Sequence, residues 1–196
     1  MVDGSLDCSV SEQALRAILK NQYHAALAML RQAIRLCPDS IWSGGNHKNS
    51  FWRIAYHVLY YTHLYLQPNL ESFKPWQYHQ TGLQYLDNIP GPSEIDMFAE
   101  LPHKPPQTGE PYTRVEVLEY WSICDNMIDR WLDALNLLDP ESGFYWYKLS
   151  KLEHQIISIR HTQHHAAQLA DRVRAASDIG IDWVSSGRGA TPFSEE

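Results

Sequence analysis

The distribution of proline is the feature that most limits how this chain can fold. Eight of its eleven prolines fall between residues 68 and 111, and few occur on either side. A proline inside a helix removes a backbone hydrogen bond and clashes with the preceding turn, so no long helix can cross this stretch. We therefore expect long helices before and after residues 68–112, joined by one long crossover.

Apolar residues recur at helical spacing in four stretches outside the proline-rich segment. We expect helices over about residues 11–36, 50–67, 113–138 and 150–177. The last two stretches begin with capping-box patterns, Thr113–Glu116 and Ser150–Glu153. In such a pattern each side chain can satisfy a free backbone N–H of the other residue. One short helix over residues 93–100 could interrupt the crossover.

The order of these segments predicts the fold class. No convincing alternating pattern of strands occurs, so we expect an all-α four-helix bundle with a proline-rich crossover between helices two and three. The length of 196 residues suits one domain spanning the whole chain. Within it, residues 68–112 would be a crossover or lid, since long loops in compact domains are often functional. Residues 178–196 would be an irregular tail.

Composition and charge exclude several classes of function. The net charge of −7 argues against a general nucleic-acid binder, because such a surface repels phosphates. The cysteines are Cys8, Cys37 and Cys124, an odd number without a CxxC pair, which indicates reduced thiols. No signal peptide is apparent, and the near-apolar run over residues 54–66 is too short to span a bilayer. We expect a cytoplasmic protein that does not bind membranes.

Four of the ten histidines, His154, His161, His164 and His165, fall in the last predicted helix. Residues four apart share a helix face, so His161 and His165 can point their imidazoles at one metal ion. On a helical wheel the histidine face lies opposite the apolar side, which predicts that it faces water. This pattern fits either a solvated polar stripe without a ligand or a metal site in an open, wet cleft.

His57 lies in the second predicted helix, which is apolar nearly all round and should be buried. A buried imidazole needs partners for both ring nitrogens. A metal ion with one hydrogen bond would satisfy it, and so would a tyrosine or carbonyl in an ordinary core. His63 lies about 240° further round the same helix, so one of the two histidines must face away from a shared site. The pattern alone does not decide which.

Two histidine segments, together with the opening-helix segment "HAALAMLRQAIRLCPDSIW", carry a resemblance to a known family. "FWRIAYHVLYYTHLYL" and "RHTQHHAAQL" resemble motifs of the DinB/YfiT family of four-helix-bundle metalloenzymes. In the first, His57 matches the mid-helix metal-binding histidine of the family. In the second, His161, His165 and Gln168 match a histidine pair followed by glutamine. The resemblance covers roughly residues 11–174, and its main departure is two alanines where the family usually has Arg-Gly after the second histidine.

The resemblance implies a site in which His57, His161 and His165 bind one divalent metal ion, with other positions open to water or substrate. Imidazole suits several metals, of which we expect Zn or Ni. Some relatives are thiol-dependent transferases and others are hydrolase-like. The expected partner is therefore a small-molecule substrate, for example a low-molecular-weight thiol. A homodimer is also expected, because helix faces rich in Trp and Tyr suit interfaces.

The alternative is a non-catalytic helical-bundle protein that acts in stress response or ligand binding, with a vacant or structural metal site. A structural site would need a fourth ligand such as His154 or His103. We otherwise expect an exposed His154, and His164 is a weaker alternative partner for His161. The Glu-x-x-His pattern at Glu100–His103 falls among prolines, where helical geometry is unavailable, so we interpret it as coincidence.

Overall fold

The computed structural model describes residues 11–87 and 107–187, and within them all regular secondary structure is helical. The five helices are α1 (Glu12–Leu36), α2 (Asp39–Trp42), α3 (Phe51–Tyr65), α4 (Arg114–Ala134) and α5 (Lys151–Ser177). The predicted all-α class is confirmed. The four long helices lie where the sequence predicted them, and the four-residue α2 was not predicted. None of the described helices is long and apolar enough to cross a membrane.

Side-chain caps mark the start of α1, α4 and α5, whereas Ser50 before α3 makes no such bond. At α4 the capping box is complete: Glu116 N–H donates to Thr113 Oγ1, and Thr113 N–H donates to the Glu116 carboxylate at 2.7 Å. At α5, Glu153 N–H donates to Ser150 Oγ at 3.3 Å. Each bond satisfies a donor that the first helical turn would otherwise leave free.

Helices α1 and α3 each pack against both α4 and α5, and the core lies between them. Buried polar contacts fix how α5 lies on α3. Thr62 Oγ1 lies 3.1 Å from Thr162 Oγ1, and Gln155 Nε2 donates to the Tyr65 carbonyl at 3.1 Å. These pairs set the two helices antiparallel, which brings the middle of α3 beside the middle of α5.

The described parts of the predicted crossover, residues 68–87 and 107–112, contain turns and no helix. Gln107 N–H donates to the Gly82 carbonyl at 3.3 Å, which joins the two parts close to α3. The predicted helix over residues 93–100 lies outside the described residues. The described part of the tail is irregular, as predicted, and Asp182 N–H donates to Gln32 Oε1 of α1 at 2.9 Å.

Candidate metal centre

His57 lies in the middle of α3 with only 5 % of its surface exposed. Its Nδ1 lies 2.6 Å from the backbone carbonyl oxygen of Gln84. A carbonyl can only accept, so Nδ1 carries the proton, and the neutral imidazole then presents an unprotonated Nε2. The predicted burial of this histidine is confirmed, and a loop carbonyl sets its tautomer.

His161 and His165 lie one turn apart on α5, with ring centroids 4.7 Å from one another. His165 Nδ1 lies 2.9 Å from Gln168 Oε1. When the amide oxygen of Gln168 accepts this proton, Nε2 of His165 is also left with a free lone pair. The glutamine three residues after the histidine pair therefore orients the second ring of that pair.

The three rings converge across the seam between α3 and α5. One ring nitrogen from each of His57, His161 and His165 lies within 4.8 Å of the others, and no other such group of His, Cys, Asp or Glu occurs among the described residues. His57 Nε2 lies 3.0 Å from His161 Nε2. Two nitrogens bound at about 2.0–2.1 Å to a single ion lie roughly 2.9–3.4 Å apart at ordinary coordination angles. The spacing therefore fits a shared metal ion.

Burial keeps two of these rings neutral. Loss of hydration lowers the pKa of His161 well below its usual range, and the neighbouring His57 and His165 lower it further. Burial also lowers the pKa of His165 to about 4, although its bond to Gln168 acts in the opposite direction. Metal ions bind only the unprotonated imidazole, so neutral rings at pH 7 are ready ligands.

The close approach of His57 and His161 also has an electrostatic consequence. Because Nε2 of His57 carries a lone pair, a second bare lone pair at 3.0 Å would be repelled. A proton on one of the two Nε2 atoms, or a cation between them, would relieve this repulsion. A cation would also engage His165, whereas one proton can bridge only two of the three rings.

The prediction that the histidine face of α5 is wet is wrong. On this face His154, Ser158 and His165 are buried and His161 and Arg172 are half-buried, so that Gln168 alone is exposed. The wheel equates a polar face with a solvated face, but this face packs against α3 through polar pairs such as Thr62–Thr162. The histidine cluster consequently lies within the seam, and His161 also lines a cavity.

The predicted exposure of His154 is also wrong. Its side chain is completely buried among the rings of Tyr65, Phe144 and Tyr147, with centroids 4.6–5.0 Å away. Neither ring nitrogen has a hydrogen-bond partner among the described residues. His154 is not part of the three-histidine group, so it does not close that group as a fourth ligand.

The remaining candidates lie elsewhere. His63 points away from the seam, with Nδ1 3.1 Å from the Tyr120 hydroxyl, and burial lowers its pKa to about 4. This resolves the choice that the sequence left open between His57 and His63. His164 is exposed and outside the group. Cys37 and Cys124 are buried free thiols, whereas Cys8 and the Glu100–His103 pattern lie outside the described residues.

Two further groups lie at the site, and neither was assigned to it from the sequence, although Tyr61 was among the aromatic residues expected to line either a pocket or the core. Tyr61 places its ring 4.7 Å from that of His57 and 5.8 Å from that of His161. Its position four residues after His57, on the same helix face, is a signal that could have identified it. The carbonyl of Gln84 left no such signal, because any residue type can supply a backbone oxygen.

The fold and the site together define an all-α protein with a buried three-histidine group that could hold a metal ion. No protein-family model, no curated protein and no solved structure matches the chain.

Proposed function

We propose that the protein binds one divalent metal ion through His57, His161 and His165. The observation that carries this proposal is the convergence of three ring nitrogens within 4.8 Å. Two of the rings are held at Nδ1 by carbonyl-type oxygens, from Gln84 and Gln168, which is the arrangement common around metal-binding histidines. We expect Zn or Ni, because imidazole nitrogen suits both ions.

The site is better suited to catalysis than to a structural role. A structural zinc site has four protein ligands, whereas a catalytic site keeps a position for water or substrate. Among the described residues the group has three members, and His154 belongs to a separate aromatic cluster. When bound, the ion would supply a Lewis acid that polarises a substrate atom. Gln84 and Gln168 would hold the rings in place, and Tyr61 would cover one side.

We further propose that the chain is a DinB-like four-helix bundle and a metal-dependent enzyme of the thiol-dependent transferase or hydrolase type. Support comes from the two motifs in which the resemblance was found, since their three histidines meet at one place. In this proposal the protein acts in the cytoplasm as a homodimer on a small molecule, such as a low-molecular-weight thiol. A cavity beside His161 offers room for such a molecule.

Metal analysis tests the site directly. Protein purified without an affinity tag should contain close to one Zn or Ni per chain by elemental mass spectrometry. His57→Ala and His165→Ala should each lose most of the metal, because two imidazoles hold an ion far more weakly than three. His164→Ala is the matched control: it removes an exposed neighbouring imidazole and should retain the metal. Metal content far below one ion per chain, or unaltered in both ligand variants, would refute the proposal.

A further inference from the structure

An open cavity of about 550 Å³ lies along α5 and shares His161 with the three-histidine group. Small-molecule sites commonly occupy roughly 300–1,000 Å³, so this volume suits a small organic ligand. Its described lining consists of Ile157, Arg160, His161, Gln163, His164 and Ala167. Since His161 belongs both to this lining and to the three-histidine group, a ligand in the cavity would contact one of the proposed metal ligands.

The charge along this lining is positive although the whole chain carries −7. Arg160 is exposed, and none of the ion pairs among the described residues involves it. No carboxylate is among the described lining residues. The metal ion would add further positive charge.

The rest of the lining is suited to an apolar group. Ile157 and Ala167 lie on the same side of α5 as Arg160, at offsets of three and seven residues. A guanidinium forms two parallel hydrogen bonds with a carboxylate or phosphate, and these charge-assisted bonds are stronger than neutral ones. A ligand with an anionic group and an apolar body would match both features of the lining.

We propose that this cavity binds a small organic anion, with the Arg160 guanidinium pairing with its carboxylate or phosphate group and Ile157 contacting its apolar part. The inference rests on the proposed function, because it names the class of substrate that would reach the metal centre. It adds Arg160 as the residue that selects for charge.

Ligand-observed NMR titrations test this with benzoate and phenyl phosphate as anionic probes and benzamide as the neutral probe. Zinc-loaded protein should bind at least one anion about tenfold more tightly than benzamide. Arg160→Gln should remove that preference without altering zinc content, whereas Arg160→Lys should keep part of it. Arg174→Gln is the matched control, because this exposed arginine lies on the same helix outside the described lining. The tighter anion identifies the headgroup.

Equal binding of charged and neutral probes would overturn the inference, as would a preference for anions that survives in Arg160→Gln. Titrations of metal-free protein and zinc analysis of the same samples separate the two proposals. Absence of zinc from the wild type counts against the metal centre. Normal zinc content without a preference for anions counts against the anion site alone.

Discussion

We expect the free energy of unfolding to fall in mild acid because of the buried His154 side chain. The side chain is fully buried among three aromatic rings, and neither ring nitrogen has a hydrogen-bond partner among the described residues. Burial lowers the pKa of His154 to about 3, and the nearby Lys151 ammonium contributes in the same direction. The folded protein therefore holds this imidazole neutral at pH values where an unfolded chain would protonate it.

The direction and size of the effect follow from that difference in pKa. The unfolded histidine has a pKa of about 6.5, so below this pH the unfolded state takes up a proton that the folded state refuses. The contribution of the neutral His154 side chain to the free energy of unfolding is fully present above pH 6.5 and is lost as the pH falls toward 3. At about 1.4 kcal/mol per pH unit, the loss between pH 7 and pH 5 amounts to about 2 kcal/mol.

Guanidinium unfolding followed by tryptophan fluorescence measures this loss. The wild type and His154→Leu would each be unfolded with guanidinium at about pH 7 and at about pH 5. A chelator would be present throughout, so that metal binding does not contribute. The wild type should lose about 2 kcal/mol more than the variant between the two pH values. The packing cost of leucine is the same at both pH values, so it cancels when each protein's loss of stability between them is compared. His47→Leu removes an exposed histidine and should lose as much stability between the two pH values as the wild type. Equal losses in the wild type and His154→Leu would refute the reasoning.

Three further substitutions have expected outcomes. Gln168→Leu should weaken zinc binding about 10–100-fold in competition with a chromophoric chelator, because His165 loses its acceptor; unchanged affinity would contradict this. Thr113→Ala should lower the free energy of unfolding by about 1 kcal/mol in urea, since the α4 capping box is lost; no change would mean the cap is dispensable. Gly143→Ala should destabilise the protein by at least about 1 kcal/mol more than Gly45→Ala. Both glycines have positive φ, but only at Gly143 would a Cβ collide with backbone; equal losses would contradict that.

The long helices could be predicted because each has a local cause. Apolar spacing and side-chain caps act within a few residues, so their signals are readable along the chain. The capping box at Thr113 illustrates this, since both of its hydrogen bonds join residues three apart. The four-residue α2 is too short to display any periodicity. Its prediction would have required the tertiary packing of Trp42, whose Nε1 donates to the Tyr112 carbonyl.

The orientation of the histidines was harder to predict because periodicity is uninformative on a helix buried on all sides. In α3, both His57 and His63 are buried, and only their partners distinguish them. In α5, the polar stripe was misread for a related reason. Polar residues can face a neighbouring helix when that helix supplies matching groups, as Thr62 does for Thr162. Such matching depends on residues 100 positions apart, which a single-helix wheel does not contain.

The carbonyl of Gln84 shows what this dependence means for function. It holds His57 from a loop 27 residues further along the chain. The loop is held in turn at Gly82, whose N–H donates to Gln84 Oε1 and whose carbonyl accepts from Gln107. Geometry at the three-histidine group therefore depends on how residues 68–87 and 107–112 pack together. Gly82→Ala, at a glycine with positive φ that is not itself a ligand, should consequently weaken zinc binding in competition with a chromophoric chelator by misplacing the His57 ring. Zinc affinity equal to that of the wild type would refute this. The crossover supports the site even though it supplies no metal ligand among the described residues.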